Sequence, residues 1–373
     1  MKVEHVAVNI ALNVSVNFTE IPENRIKFDN NHLPHITFLQ FFTKYSYIHK
    51  IYKIIKDIKI PNFNIKSSLS INKINNLDYI YSIDIDSPEL KDFYNYLKEK
   101  VSDYIEFPEN YYDCFCEKIT YQNLPNLVLN FIKKDYKPHI TIGISTVNTN
   151  INYSNINVKN LDLYKVGDNG TAIPIIKSFF YCHRINNSDE LDEIDENYGV
   201  ELDLRDKGEN VVLVHDPFKG GELFCDYLRK YNKSSIILNV KSERIEYKVL
   251  DLLREKGIND YFFLDCSFPM IYQLNKNYEN NIAIRFSEFE PIESVLSCKN
   301  MVKWVWVDCF TKFPLDEKSY KIIKECGLKI CLVSPELQGH SIDMIKDIRD
   351  VIINNNFEID AICTKYYNIK NWV

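Results

Sequence analysis

Two short segments, more than a hundred residues apart, repeat the same four residue types in the same order. His32 to Gln40 contains Pro-His-Ile-Thr, and Tyr136 to Ser145 contains it again. Successive side chains of a β-strand alternate between its two faces, so each histidine and its threonine point one way while the isoleucine between them points into a core. The repeat therefore predicts two related strands that present two imidazoles and two hydroxyls to one phosphate-sized anion.

The residue types in this repeat suit phosphodiester chemistry. An imidazole titrates near neutrality, so one can take a proton from water while the other protonates the leaving oxygen. Threonine hydroxyls can donate to the non-bridging phosphate oxygens. The candidate catalytic residues are His35, Thr37, His139 and Thr141, and no metal is required. The alternative, a chance pattern around a core histidine, is weakened because both copies follow a proline and lead into an apolar strand.

With these two motifs, residues 1 to 177 resemble the 2H phosphoesterase family. The resemblance implies a bilobal α+β fold with a pseudo-twofold cleft and no cofactor. It implies His35 and His139 as acid and base, and Thr37 and Thr141 as phosphate ligands. Substrates of the family include 2',3'-cyclic phosphates and 2'-5' linked oligonucleotides.

A chain of 373 residues is long enough for two domains. We place the boundary between residues 177 and 178. In the first domain the apolar periodicity predicts a strand at Val6 to Phe18, a helix at Tyr45 to Lys59, two strands in residues 62 to 86 with a turn at Asn75-Asn76, and a helix from Ser87 to Ile105.

The second domain, residues 178 to 373, repeats short apolar strands separated by helix-like segments. This alternation predicts an α/β fold, a (β/α)8 TIM barrel. The eight predicted strands lie in the segments SFFYCHRI, GVELDLRD, IILNVKS, YFFLDCS, IAIRFSE, WVWVDCF, KICLVSP and IDAICTK.

Nearly all of these strands end in charged or polar residues. The carboxyl ends of barrel strands build the active site, so these side chains are candidates for it. The alternative is that strand-end polar residues merely meet water, but this would not favour histidine and carboxylates at successive strands. The residues are His183, Arg184, Glu201, Asp203, Asn239, Lys241, Asp265, Glu288 and Asp308.

Their chemistry is again that of a phosphodiester site. Glu201 and Asp203 are two residues apart on one strand, so both face inward and can share a divalent cation, Mg²⁺ or Ca²⁺. His183 and His215 could act on opposite sides of a phosphodiester. Lys241 and Arg184 could neutralise its charge as substrate-binding residues.

The stretches CHRI, GVELDLRD and VLVHDPF resemble the glycerophosphodiester phosphodiesterases and the related phosphoinositide phospholipase C-like barrels. The resemblance covers about residues 178 to 373 and implies His183 and His215 as the acid–base pair and Glu201 and Asp203 as metal ligands. The chain departs from the family pattern in three places. Asn239 replaces the third carboxylate ligand, Ile185 replaces a glycine, and Lys365 replaces an aspartate.

Composition limits the remaining function classes. A net charge of −7 and a pI of about 5.7 argue against general DNA binding. The ten cysteines show no zinc-type pairing and sit mostly in apolar strands, which predicts reduced thiols in a cytoplasmic protein. Polar residues interrupt the amino-terminal strand, so we do not expect a signal peptide, and no apolar run reaches the length of a membrane span.

These observations predict a two-domain phosphodiesterase. The first domain would hydrolyse a cyclic or 2'-5' linked nucleotide or oligonucleotide phosphodiester, and the barrel would cleave a second phosphodiester substrate with a divalent cation. Two alternatives stay open at this point. Either only the first domain is catalytic and the barrel is a degenerate binding module, or the whole chain is a non-catalytic RNA or nucleotide binder.

Overall fold

The computed structural model describes residues 4–26, 28, 34–74, 77–115, 124–133, 135–167 and 170–373. The chain divides into two compact units, Met1–Ile175 and Ile176–Val373. The predicted Asn75-Asn76 turn and the first two residues of the His32 to Gln40 segment lie outside the described residues.

The first unit is built on an antiparallel sheet. Its seven strands lie in the order β3-β4-β5-β2-β1-β6-β7. The strands are β1 (His5–Phe18), β2 (His35–Lys44), β3 (Lys66–Lys73), β4 (Tyr79–Asp86), β5 (His139–Ser145), β6 (Tyr153–Val166) and β7 (Ala172–Pro174). The α-helices described in this unit are α1 (Ile48–Lys56), α2 (Pro88–Val101) and α3 (Leu124–Phe131).

Helix α1 shows how the sequence pattern specifies an amphipathic helix. Ile48, Ile51 and Ile55 recur at helical spacing and are buried. The predicted helix from Tyr45 to Lys59 is confirmed over its central part; its first turn is a 3₁₀ helix, Tyr45–Tyr47, and its last turn is absent. The sequence pattern alone fixes helix ends poorly because local turns compete with the α-helix there.

The second unit is a barrel of parallel strands. They are β8 (Phe179–Cys182), β9 (Gly199–Lys207), β12 (Ser235–Val240), β13 (Tyr261–Leu264), β14 (Ala283–Phe286), β15 (Trp304–Val307), β16 (Lys329–Val333) and β17 (Ala361–Thr364). Except for β13 and β14, each pairs with the next in parallel, and β17 pairs with β8. The barrel closes between β13 and β14, where Phe263 N donates to Asn281 O at 2.8 Å and a parallel bridge joins Phe263 to Ile282.

Helices alternate with these strands, as the sequence pattern predicts. They are α4 (Ser188–Leu191), α5 (Phe224–Lys230), α6 (Glu246–Lys256), α7 (Phe268–Lys276), α8 (Ile292–Cys298), α9 (Glu317–Glu325), α10 (Met344–Asn354) and α11 (Ile369–Trp372). A hairpin arm that the sequence analysis did not predict consists of β10 (Asn210–Leu213), antiparallel to β9, and β11 (Glu222–Leu223).

The barrel interior is filled by alternate residues of its strands. Tyr181, Ile237 and Trp306 belong to one buried apolar cluster. Gly199 lies where a Cβ atom would be only 2.3 Å from the Tyr181 ring, so the packing of this ring against β9 requires a residue without a side chain. The same alternation directs the residues two and four positions after Gly199 toward the interior.

In the part of the chain that the structure describes, no helix is long and apolar enough to cross a bilayer.

Candidate functional site

The carboxyl ends of β9 and β12 form the centre of the barrel site. Glu201 and Asp203 follow Gly199 on the inward face of β9, and both are fully buried. Asn239 and Lys241 continue the inward row of β12, and Asn239 pairs with Asp203 in the strand register. Two carboxylates, an amide and an ammonium group therefore meet at one end of the barrel.

Hydrogen bonds hold both oxygens of Glu201. Asn239 Nδ2 donates to Glu201 Oε1 at 2.8 Å, and the backbone N–H of Arg184 donates to Oε2 at 2.9 Å. Burial raises the pKa of Glu201, and the neighbouring Asp203 carboxylate adds to this effect. Burial and the neighbouring carboxylate therefore favour the protonated form of Glu201 relative to a carboxyl group in water.

Asp203 is held by the loop after β8. Asn186 Nδ2 donates to Asp203 Oδ2 at 2.9 Å, and the backbone N–H of Asp203 donates to Asn186 Oδ1 at 2.8 Å. Arg184 Nε lies 3.5 Å from Oδ2, and Lys241 Nζ lies 3.6 Å from Oδ1. Arg184 has a positive φ of 55°, a backbone conformation that directs its amide to Glu201 while its guanidinium reaches Asp203.

His183 lies directly after β8, above these carboxylates. Its Nε2 is 3.8 Å from Glu201 Oε2, and its buried Nδ1 has no hydrogen-bond partner among the described residues. Burial lowers the pKa of His183 to about 3, and the positive charges of Lys365, Arg184 and Lys241 act in the same direction. The ring is therefore neutral near pH 7, which is the form that accepts a proton.

His215 reaches the same end of the barrel because the hairpin arm folds back. Val214 N donates to Asp203 O at 2.9 Å, and Arg205 donates to the backbone oxygens of both His215 and Lys241. His215 Nδ1 donates to Asp216 Oδ1 at 2.9 Å, since a carboxylate only accepts. This contact leaves Nε2 for a substrate, and His215 is close enough to contribute to lowering the pKa of His183.

A second layer of charges lies beside Lys241. Lys241 Nζ is 3.2 Å from Asp265 Oδ2, and Arg285 Nε donates to Asp265 Oδ1 at 2.7 Å. Arg285 also pairs with Asp308, which accepts from Gln338 Nε2 at 2.6 Å. Although burial opposes it, the hydrogen bond from Arg285 lowers the pKa of Asp265. Arg285 thus pairs with two carboxylates and holds the side chains of this second layer in place.

The oxygen ligands at the centre fit a hard divalent cation. Asp203 Oδ1 and Asn239 Oδ1 are buried acceptors with no hydrogen-bond donor among the described residues, and they belong to paired positions of β9 and β12. With Glu201 they form an all-oxygen set of the kind that Mg²⁺ and Ca²⁺ prefer. No group of three His, Cys, Asp or Glu side chains suited to a metal occurs in the described ranges, so the third ligand here would be the neutral Asn239.

Three further residues of this site were not among the predicted site residues. Asn186 orients Asp203, and Lys365 Nζ donates to the His183 backbone oxygen at 3.3 Å. Arg285 was not predicted either, because it lies within β14 and not beyond its carboxyl end. The sequence shows Lys365 only as a departure from a family pattern; its position after β17 puts its charge beside His183.

In the first unit, the two Pro-His-Ile-Thr motifs lie on neighbouring antiparallel strands. Ile36 of β2 pairs with Ile140 of β5, and both side chains are fully buried. In this register His35 stands opposite Thr141 and Thr37 opposite His139, all on the face away from the two isoleucines. The two histidines are then diagonal neighbours, whose backbones lie about 7–8 Å apart.

Polar residues of the adjacent strands continue these rows. Asp84 of β4 pairs with His139, Ser82 pairs with Thr141, and Asn13 of β1 pairs with His35. His139 is exposed, and its Nδ1 donates to Lys137 O at 3.1 Å, which leaves Nε2 to exchange a proton with a ligand.

Neutral hydrogen-bonding groups support the first motif. Asn9 Nδ2 donates to Thr37 Oγ1 at 3.3 Å. The Tyr164 hydroxyl donates to Asn13 Oδ1 at 2.7 Å, and Asn13 Nδ2 donates to Asn160 Oδ1 at 3.1 Å. Burial raises the pKa of Tyr164, so its hydroxyl remains a donor. Asn9 and Asn13 were assigned only to a strand by the sequence analysis.

No protein-family model matches the chain, and the search of curated proteins found no significant match. Among solved structures, the chain is similar to a glycerophosphodiester phosphodiesterase from Agrobacterium tumefaciens str. C58, with 12% identity and a TM-score of 0.39 over 52% of this chain and 98% of that one. It is also similar to a glycerophosphoryl diester phosphodiesterase from Parabacteroides distasonis, with 12% identity and a TM-score of 0.38 over 52% of this chain and 85% of that one.

Proposed function

We propose that the second unit cleaves a phosphodiester at the mouth of its barrel, with His183 and His215 as the acid–base pair. One observation carries this proposal: the two imidazoles lie at the same end of the barrel as two buried carboxylates and the cationic side chains of Arg184 and Lys241. Paired proton carriers beside an anion-neutralising cluster suit in-line displacement at phosphorus better than binding alone.

The contacts of the two histidines support separate roles for them. His183 is neutral, so it takes the proton of the attacking hydroxyl or water. His215, whose Nδ1 is held by Asp216, gives a proton from Nε2 to the leaving oxygen. Arg184 and Lys241 neutralise the non-bridging oxygens. A divalent cation held by Glu201, Asp203 and the Asn239 amide oxygen would add further charge neutralisation.

The test is product release from 2',3'-cyclic nucleotides, 2'-5' oligoadenylate and glycerophosphodiesters, each measured with Mg²⁺ and with EDTA. Mg²⁺-dependent turnover that is lost in His183→Ala and in His215→Ala supports the barrel assignment. Mg²⁺-dependent turnover that survives both substitutions would refute it.

The pairing of Ile36 with Ile140 favours a second candidate activity in the first unit. We propose that His35 and His139 hydrolyse a cyclic or 2'-5' linked nucleotide phosphodiester without a metal, with Thr37 and Thr141 binding its phosphate. EDTA-resistant turnover that disappears in both His35→Ala and His139→Ala supports this candidate; EDTA-resistant turnover retained by both variants would contradict it.

The hydrogen bond from Asn239 to Glu201 favours a competing view, in which the barrel binds a phosphodiester but does not cleave it. In that case His35→Ala and His139→Ala abolish all turnover, and His183→Ala abolishes none. A chain that only binds RNA or nucleotides would show no turnover with any member of the panel.

A further inference from the structure

Three consecutive backbone N–H groups in the loop after β15 point at one carboxylate. The N–H groups of Thr311 and Lys312 donate to Glu288 Oε1, the second at 3.3 Å, and the N–H of Phe310 donates to Oε2 at 3.4 Å. The Thr311 hydroxyl also donates to Oε1, at 2.8 Å. Successive N–H groups that converge in this way form an anion-binding concavity. We call Phe310, Thr311 and Lys312 the anion nest.

His340 holds the peptide planes of the nest from the opposite side. Its Nε2 lies 3.0 Å from the backbone oxygen of Cys309 and 3.0 Å from that of Phe310. Carbonyl oxygens only accept, so Nε2 donates to both. In a planar trans peptide the C=O points away from the N–H of the next residue. The imidazole therefore holds two successive peptides by their oxygens while their N–H groups face Glu288.

The nest has a positive charge beside it and few free negative charges. The Lys312 side chain is exposed and forms no ion pair with any residue that the structure describes. Asp308, two residues before the nest, already pairs with Arg285 and accepts from Gln338 Nε2 at 2.6 Å. An anion that enters the nest thus meets three N–H donors, a hydroxyl and an ammonium group.

In this structure Glu288 fills the nest. Although burial opposes it, hydrogen bonds from the N–H of Glu288 itself and from Thr311 lower the pKa of Glu288 to about 2. The Glu288 side chain is partly exposed, and Thr311 and Lys312 are exposed. Another anion can therefore replace the carboxylate without disturbing the core. A phosphomonoester suits these donors better, since it presents three acceptor oxygens and a charge of about −1.5 to −2.

The nest lies at the carboxyl end of the barrel, across the mouth from the candidate site. β15 is the sixth of the eight parallel strands, and β9 is the second, so three strands separate them in each direction around the barrel. Glu201 and Asp203 belong to β9, and Arg184 reaches Asp203 from the loop after β8. The nest is therefore separate from the groups that are proposed to hold the reacting phosphodiester.

We propose that the anion nest is a second anion-binding site, which takes a phosphate group in exchange for the Glu288 carboxylate. The phosphate is either free inorganic phosphate or a phosphomonoester on a larger molecule, because both offer the same tetrahedral oxygens. The exchange replaces the hydrogen bonds of Glu288 by those of the phosphate and changes no covalent bond. It does not depend on the proposed activity of the barrel.

The experiment titrates inorganic phosphate, and separately phenyl phosphate, into the full chain and follows the backbone amide signals of the nest by NMR. The test variant is Glu288→Ala. The matched control is Glu293→Ala, which removes an exposed carboxylate from the first turn of α8, outside the nest. Glu288→Ala should bind phosphate at the nest at least about tenfold more tightly than the unsubstituted chain, because the competing carboxylate is gone. The control should bind as the unsubstituted chain does.

Two further substitutions keep the test decisive if Glu288→Ala does not fold. Glu288→Gln keeps the size of the side chain and removes its charge, so phosphate should again bind more tightly, by a smaller factor. Addition of His340→Ala to Glu288→Gln should reverse this gain, because the two peptide planes are no longer held by their oxygens. Circular dichroism verifies that each variant is folded.

Equal phosphate binding by the unsubstituted chain, Glu288→Gln and Glu293→Ala would overturn the proposal. Signals that shift only around Arg184 and Lys241 would also overturn it, since all binding would then belong to the candidate site. A gain with inorganic phosphate alone supports a site for the free anion, and a gain with both probes supports a site for phosphomonoesters as well. Absence of turnover in every one of these proteins would refute the barrel activity and leave the anion site intact.

Discussion

The two units present paired histidines in opposite electrostatic settings. In the barrel, His183 lies beside buried Glu201 and near Lys241, in a cluster of full charges. In the antiparallel sheet, His35 and His139 lie on rows formed largely by amides and hydroxyls, with Asp84 opposite His139 as the nearest paired carboxylate. Under the two proposed activities, this difference corresponds to two ways to neutralise a phosphate: fixed charges with a cation in one unit, and neutral hydrogen-bond donors in the other.

The largest expected effect comes from the histidines themselves. His183→Ala should lower Mg²⁺-dependent turnover by about 10²–10⁴-fold, because it removes the proton acceptor. The same substitution should leave EDTA-resistant turnover unchanged. Steady-state kinetics of His183→Ala and His139→Ala, compared on the same two substrates, measure both effects. Equal loss of both activities in either variant would contradict the existence of two separate sites.

Removal of divalent cations should have the next largest effect, and it should lower the activity of the barrel alone. EDTA should reduce barrel turnover by about 10²-fold, since a bound cation supplies several kcal/mol of charge stabilisation at phosphorus. Activity at His35 and His139 should not change. Titration of Mg²⁺ back into the EDTA-treated protein restores the barrel reaction if the cation acts at Glu201 and Asp203. Barrel activity that is indifferent to EDTA would assign charge neutralisation to Arg184 and Lys241 alone.

A smaller effect concerns the amide at the metal-ligand position. Asn239→Asp removes the hydrogen bond to Glu201 and adds a third carboxylate beside it. The free energy of unfolding in EDTA should therefore fall by about 1.5–3 kcal/mol. Mg²⁺ should raise the Tm of this variant by more than it raises that of the unsubstituted chain.

Asn232→Asp, an exposed substitution before β12, is the matched control and should respond to Mg²⁺ as the unsubstituted chain does. Thermal unfolding with EDTA and with Mg²⁺ makes the comparison. An Asn239→Asp variant that is equally stable in both conditions would show that no cation binds there.

The smallest effect belongs to the neutral network of the first unit. Asn13→Ala removes the hydrogen bond that Asn13 accepts from the buried Tyr164 hydroxyl and should destabilise this unit by about 1–3 kcal/mol. Tyr164→Phe removes the hydroxyl itself, so the double variant should be more stable than the sum of the two single changes predicts. Denaturant unfolding of the four proteins measures the coupling. Strict additivity would show that the two side chains do not support each other.

Much of the barrel could be predicted from the sequence because its strands, and the side chains that face inward, follow from patterns within short segments. Apolar runs of four to six residues that end in polar residues predicted the parallel strands, and the period of two placed Glu201 and Asp203 on one face. The same period placed Asn239 and Lys241 beside them once the two strands were neighbours. A strand's own alternation determines which side chains face inward, whatever its partners are.

The hairpin arm was not predicted because it depends on how β10 pairs with β9, which no pattern within β10 itself determines. The segment from Val211 to His215 reads as the continuation of an apolar strand, yet β10 turns back against β9. This reversal brings His215 to the mouth, where Arg205 ties its backbone to that of Lys241. Arg285 likewise acquires its role only from Asp265 and Asp308, which directly follow the strands to either side, β13 and β15.

In the first unit the sequence determined that two strands would each present a histidine and a threonine on one face, since alternation along a strand is a property of the local backbone. Tertiary structure decided that these strands are neighbours and that Ile36 meets Ile140. That pairing joins segments more than a hundred residues apart, and it depends on the burial of both isoleucines against the rest of the core. A slip of one residue would turn one motif to the opposite face, so the register, and with it the candidate site, is set by packing.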